Sequence, residues 1–182
     1  EHFEVEMPLA QRDEDLPIYK LHFSRLSNRN GETIGASHIA RDISAQVNVQ
    51  DQLNYLSKHD PLTGTLNRKA FYHRLMRAIQ HSSRRETSHA LLYLDLDHFK
   101  TLNQQVGHNA GDALLRKVST ILGNKVRDRD ALARIGGNEF AILLENCHID
   151  EAHKVAEQIC DTIDRYEFEW QEQSLRITVS IG

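Results

Sequence analysis

Over residues 59–182 the chain reads strand, helix, hairpin, helix, strand, an order that predicts an α+β domain. The expected architecture is an antiparallel sheet with its helices on one face, ferredoxin-like or palm-like. Three stretches carry the prediction. His89–Asp97, HALLYLDLD, is apolar without a break until its final acids, as a buried strand is. Ala131–Glu145, ALARIGGNEFAILLE, is two apolar runs joined by Gly136-Gly137-Asn138-Glu139, the pattern of a hairpin whose tight turn uses glycine's access to positive φ. Between them Ala113, Leu114, Leu115, Val118, Ile121 and Leu122 line one side of a helix. In this topology the first strand and the first arm of the hairpin are expected to be central neighbours, which would bring Asp95 to the hairpin tip.

Bulk properties bound the function. A length of 182 residues allows one domain or one and a half. Hydrophobic and charged fractions of 40% and 26% are those of an ordinary globular chain. The formal net charge of -4 gives no electrostatic case for binding a nucleic-acid polymer. No apolar stretch approaches the ~18 residues of a membrane span, and no signal peptide opens the chain. Cys147 and Cys160 suit a reduced, cytoplasmic protein rather than a disulfide framework. The eleven histidines are scattered; neither His148 with His153 nor His81 with His89 has a third ligand nearby, so solvated side chains are expected. The chain starts in mid-pattern at Glu1-His2-Phe3 and stops at Gly182, so it reads as part of something longer, which could be tethered to a membrane upstream.

In chain order, His2–Met7, Tyr19–Leu26 and Thr33–Ile43 alternate like strands. They are separated by a charged Pro8 to Pro17 insert and by the turn residues Asn28-Arg29-Asn30-Gly31. With Gly31, Gly35 and the ending Arg41-Asp42-Ile43-Ser44, residues 1–43 resemble the C-terminal part of a PAS sensory domain, without the half that forms its pocket. Residues 44–58 read as an amphipathic linker helix, capped by Ser44, with Ile43, Val47, Leu53 and Leu56 at roughly helical spacing. Such a stripe either pairs with its copy in a homodimer or lies on its own domain. Pro61 and Gly64 in HDPLTGTLNR end that helix, and Asn67 can cap another through Phe71, Leu75, Met76 and Ile79. Ser82–Ser88 reads as a polar loop, Asp150–Tyr166 as a helix and Leu175–Ile181 as a last strand.

The chemistry gathers around two places. Strand alternation sends Asp95 and Asp97 to one face and Leu94 and Leu96 to the other. Carboxylates at the end of a buried strand either are solvated or hold a hard cation such as Mg²⁺. Gly136 and Gly137, free of side chains, let a charged ligand approach the backbone beside Glu139. Acids converging there would make a plausible metal–triphosphate site. Arg127-Asp128-Arg129-Asp130 stands just ahead of the hairpin, and on its own reads as a solvated ion pair.

From His59 to the end, DPLTG…NR, DLDHFK, FKTLN, GHNAGD and RIGGNEF occur in order, and the chain resembles the GGDEF family, the diguanylate cyclases. The resemblance implies condensation of two GTP into cyclic di-GMP by two facing domains. It implies Mg²⁺ (or Mn²⁺) held by Asp95, the Leu96 carbonyl and Glu139. It further implies guanine reading by Asn103 and Asp112, phosphate charge met by Lys100, and a product-binding RxxD at Arg127 and Asp130. A carboxylate can accept from guanine N1–H and N2–H₂, and an Asn amide can serve the acceptor side; Arg suits guanine O6 and N7. Gln104 stands where the family usually has Asp, and phosphate-contacting Lys and Arg are expected beyond Gly182. The largest departure is Asn138, where the family has Asp or Glu as metal ligand and general base. An amide cannot take the hydroxyl proton, and losing a general base costs about 10²–10⁴-fold. Three readings therefore compete: a weakened cyclase, a silent GTP- or cyclic di-GMP-binding domain controlling a neighbour such as a phosphodiesterase, and a scaffold with no nucleotide role.

Overall fold

The computed structural model describes residues 2–8, 18–85 and 87–182, in two compact units divided between Tyr55 and Leu56. In the first unit β1 (His2–Pro8), β2 (Ile18–Ser27) and β3 (Thr33–Asp42) form an antiparallel meander in that order. The charged insert expected as a turn lies outside the described residues over 9–17. The second turn is built as its residues require. Gly31 adopts φ 81, while the Asn28 side-chain oxygen accepts from the N–H groups of Asn30 and Glu32 at 2.9 and 3.0 Å.

Helix α1 spans Ser44–Lys58, the bounds expected for the linker. Its start differs in detail. Ser44 was expected to cap the helix, but its hydroxyl donates to the Asp42 carboxylate at 2.6 Å and accepts from the Ile18 N–H at 2.8 Å. Asp42 also accepts from the Ser44 N–H, and these two bonds hold its carboxyl below the usual range. A carboxylate two residues upstream is the stronger acceptor for the helix's first N–H groups, so it displaces the hydroxyl from that role.

The second unit holds β4 (Leu66–Asn67), α2 (Arg68–Arg85), β5 (Ala90–Leu96), α3 (Phe99–Val106), α4 (His108–Gly123), β6 (Ala131–Gly136), β7 (Glu139–Leu144), α5 (Ile149–Asp164), β8 (Glu167–Trp170), β9 (Gln173–Arg176) and β10 (Val179–Ile181). Five strands form the main sheet in the order β10-β5-β7-β6-β4. The α+β class is as expected, but four details are corrected. The neighbour of β5 is the second hairpin arm, β7, not the first arm, β6. A crossover through α3 and α4 makes β5 and β6 parallel, and the returning arm fills the gap between them with antiparallel bonds to both. Helices cover both faces, because α2 packs Phe71 and Ala78 against Ala131, Ala133, Ala141 and Leu143 while the other core lies under α4 and α5. Helix α2 continues through Arg85 into the stretch read as a loop. The expected last strand is divided, since β9 pairs with β8 in a separate ribbon and only β10 joins the main sheet.

The apolar run FAILL explains why β7 is central: Phe140, Ile142 and Leu144 enter one core while Ala141 and Leu143 enter the other. Phe140 packs with Leu94, Leu96, Leu114, Val118, Ile159 and Ile163, all at most 1% exposed. At roughly 1.5–3 kcal/mol per fully buried large side chain, this cluster fixes the sheet on α4 and α5. Asn67 caps α2 as expected, accepting from the Ala70 N–H at 2.9 Å.

Candidate functional site

The hairpin tip is pinned from three directions. Gly137 takes φ 50, the left-handed conformation the turn needs. Its carbonyl accepts from Arg134 Nε and Nη2 at 3.0 and 2.8 Å. The remaining Arg134 nitrogen, Nη1, pairs with Asp60 at 3.2 Å, with the two side chains only 15% and 20% exposed. Asp60 accepts in turn from the N–H and hydroxyl of Thr63 at 2.9 and 2.7 Å. Burial pushes the Asp60 carboxyl upward, but the Thr63 bonds and the Arg134 charge outweigh it and hold the group below its ordinary value. This Asp60–Arg134 brace joins the HDPLTG turn to the hairpin, and the sequence reading missed it.

Asp95 does reach the tip, by the corrected route: it stands in register opposite Glu139 across β5 and β7. Glu139 lies close enough to act on the Tyr93 hydroxyl, whose pKa is raised by burial first and by Glu139 next. Asp97 does not join them. Its carboxylate accepts from Thr178 and Ser180 hydroxyls at 2.6 and 2.7 Å and stays below the usual carboxylate range through those bonds. The two strand-end acids thus divide, Asp95 to the hairpin and Asp97 to the last strand.

Asn138 decides the character of the site. Its Nδ2 donates to Asp95 Oδ1 and to the Leu96 carbonyl, each at 2.9 Å, while its own carbonyl accepts from the Leu96 N–H at 3.3 Å. Both side-chain partners are acceptors, so the amide must turn its nitrogen toward them. Asp95, the Leu96 carbonyl and Glu139 are the expected ligands of Mg²⁺ or Mn²⁺. As arranged they do not fit a cation, because the point between Asp95 and the Leu96 carbonyl is held by an NH₂ group with no lone pair to offer. Among the described residues, no three His, Cys, Asp or Glu side chains gather in a metal-holding group.

Beside the tip lies a cavity of about 480 Å³ lined by Asp95, Leu96, His98, Phe99, Lys100, Asn103, Gln104, His108 and Asn138. Asn103 Oδ1 is buried and has no hydrogen-bond partner among the described residues. Its seat depends on Gly111, where a Cβ would come within 1.9 Å of that oxygen. An orphaned buried acceptor costs about 1–3 kcal/mol and is relieved by a ligand N–H. Lys100 and Asn103 both line the cavity. Asp112 is half-buried on α4 next to Gly111 but is not among the lining residues. Gly136 and Gly137 leave open space, since a Cβ on either would meet nothing within 4 Å. His98 and His108 were not expected in the lining; the signal was their place at the two joints of α3, where His98 has φ 56 and Gly107 φ 87.

Arg127 and Asp130 sit at the other end of β6, about 20 Å away at ~3.3 Å per strand residue. Asp130 accepts from the Arg127 N–H at 2.9 Å and the Glu145 N–H at 3.0 Å, which closes the turn and ties it to the end of β7. The Arg127 side chain is exposed and borders a cavity of about 390 Å³ with Lys125, Glu151 and Lys154. A neighbouring cavity of about 540 Å³, lined by Arg74, Arg77, His81 and His89, shares Glu145 with it. The spacing of Arg74, Arg77 and His81 on one face of α2 announced this basic wall, and the sequence reading overlooked it.

Residues 57–182 match the family described as diguanylate cyclase, GGDEF domain. The chain belongs to the GGDEF family. Probable diguanylate cyclase DgcE of Escherichia coli strain K12 is 36% identical over 166 residues, covering 90% of this chain and 15% of that protein. A diguanylate cyclase of Vibrio cholerae serotype O1 is 30% identical over 152 residues, 84% of this chain and 47% of the relative. This chain thus spans less than half the length of either. Among solved structures, the coiled coil and GGDEF domain of DgcB from Caulobacter crescentus, in complex with c-di-GMP, matches with TM-score 0.72 at 29% identity over 77% of this chain and 75% of that one. None of the helices among the described residues is long and apolar enough to cross a membrane.

Proposed function

We propose that this GGDEF domain belongs to a cyclic di-GMP signalling protein, binds GTP, and condenses two GTP into cyclic di-GMP only slowly. The observation that carries the reading is that Asn103, whose buried side-chain oxygen has no partner among the described residues, lines a cavity together with Lys100 and with Asn138 of the hairpin tip. An Asn side chain can donate to guanine's acceptors as well as accept from its N–H groups, and the ammonium suits its phosphates. Asp112, one residue beyond the Asn103 seat, would complete base reading if the ligand draws it in. In the reaction the 3′-hydroxyl of one GTP attacks the α-phosphate of another and pyrophosphate leaves. At the position of the expected base, Asn138 cannot take that hydroxyl's proton.

Two domains must face each other, so a homodimer through α1 is part of the proposal. Val49, Leu53, Tyr55 and Leu56 support it, all more than half exposed on that helix at 52–56%. We assign residues 1–43 to the end of a PAS-like sensory domain, 44–58 to the linker and 59–182 to the GGDEF domain. Cyclic di-GMP is assigned to Arg127 and Asp130. Its nucleotide chemistry would place the protein in the cytoplasm, and Mg²⁺ or Mn²⁺ would bind only with the Asn138 amide turned aside.

The silent-domain reading is favoured by one observation, the Asn138 amide bonded across the expected ligands. The same assay separates the two. Cyclic di-GMP formed from GTP at saturating Mg²⁺ should rise at least ~10²-fold in Asn138→Asp, the low end of a general-base effect. A robustly active unmutated protein would show that the amide is no handicap, and an inactive Asp variant that still binds GTP would establish the silent reading.

A further inference from the structure

We propose that the Asn138 amide is a built-in replacement for a divalent cation, so that this domain keeps its hairpin tip and nucleotide pocket assembled without metal. Nδ2 lies 2.9 Å from both Asp95 Oδ1 and the Leu96 carbonyl, one hydrogen for each. A Mg²⁺ bound to the same two oxygens would sit about 2.0–2.1 Å from each. That position falls within the space the amide nitrogen fills, so the amide and the cation exclude each other.

The amide is held in place from its backbone side. The Asn138 carbonyl accepts from the Leu96 N–H, Arg134 grips the Gly137 carbonyl, and Glu139 is locked in register with Asp95. Turning the carboxamide over would put its oxygen against two other acceptors and lose both hydrogen bonds. A cation entering would have to offset that loss while gaining only a neutral ligand. A carboxylate at this position would behave in the opposite way. It would crowd Asp95 and Glu139 with a third negative charge, which a divalent ion must neutralise. The amide removes both the charge and the need for the ion.

The inference rests on the reading of this pocket as the nucleotide site, but its test needs no nucleotide. The whole chain and its Asn138→Asp variant are unfolded thermally in EDTA and in excess Mg²⁺. In parallel, Mn²⁺ is titrated while the NMR amide signals of Asp95 and Leu96 are followed for paramagnetic broadening. The unmutated protein should unfold at the same temperature in both buffers. The variant should unfold about 2–8 °C lower in EDTA and recover in Mg²⁺, as expected for a loss near 1 kcal/mol restored by a ligand of the folded state. Mn²⁺ should broaden the variant's signals at concentrations at least ~10-fold lower than the parent's. Should the Asp variant fail to fold, Asn138→Ala removes the donor without adding charge, and it too should be broadened at lower Mn²⁺ than the parent. Equal Mg²⁺ stabilisation of parent and variant, or broadening at equal Mn²⁺ in parent and variant, overturns the proposal. Failure of the unmutated protein to bind GTP would sink the proposed function and leave this result untouched.

Discussion

The two ends of β6 make opposite use of similar residues. At its start Asp130 spends both carboxylate oxygens on backbone N–H groups, closing a turn that leaves Arg127 free to face solvent. At its end Asn138 spends both amide hydrogens on acceptors, while Asn103 nearby keeps a buried oxygen with nothing to accept from. The first end is satisfied by its own fold, and the second leaves the buried Asn103 oxygen without a partner among the described residues. Motif spacing alone ranks the two ends alike. Counting donors against acceptors separates a residue that builds its turn from one that keeps a buried group unpaired.

The largest effect should come from Gly111→Ala. Its Cβ would lie 1.9 Å from Asn103 Oδ1 and 3.1 Å from the Phe99 ring, so Asn103 must leave its seat. We expect GTP affinity to fall at least ~10-fold by calorimetry and stability by about 1–3 kcal/mol in denaturant unfolding. Unchanged values would show that the orphaned oxygen plays no part in binding. Next is Arg134→Ala, which strips the Gly137 carbonyl of its donors and leaves Asp60 partly buried without its cation. A loss of about 2–3 kcal/mol is expected, with a coupling of at least ~0.5 kcal/mol to Asp60→Asn in a double-mutant cycle. Additive losses would mean the brace is not cooperative.

A smaller and sharper contrast concerns the first end. Asp130→Ala should cost about 0.5–2 kcal/mol, because two backbone N–H groups lose their acceptor. Arg127→Ala should leave stability within about 0.5 kcal/mol but abolish cyclic di-GMP binding, with GTP affinity nearly unchanged. If both affinities fall together, the two ends do not act as separate sites.

The smallest effect is one of pH. Hydrogen bonds from Thr178 and Ser180 depress the Asp97 carboxyl in the folded chain. Its contribution is therefore fully present above the unfolded value of about 3.9 and is lost as pH falls through the lower folded value. Asp97→Asn should flatten the acid limb of stability below about pH 4. An unchanged slope would mean that this pair of bonds does not hold β10 to β5.

Much of this was legible in the chain. The unbroken apolar run announced β5, the glycine turn announced the hairpin, and the GHNAGD and RIGGNEF stretches marked Gly111 and Asn138. Strand order was misread because two apolar runs of similar length are equal candidates for the centre. Only the crossover through α3 and α4 decides between them, leaving room for β7 alone. The Asp60–Arg134 brace joins residues 74 apart, beyond any local periodicity. The amide orientation of Asn138 was not legible at all, because it depends on which atoms of Asp95 and Leu96 lie opposite, and sequence names residues rather than atoms.

If the cavity between α3 and the hairpin tip reads guanine, as proposed, calorimetry with GTP and ATP on the unmutated protein will show it. We predict a preference for GTP of at least ~10-fold, about 1.4 kcal/mol, lost in Asn103→Ala. Equal affinities for GTP and ATP, or a preference that survives removal of the Asn103 amide, would contradict it.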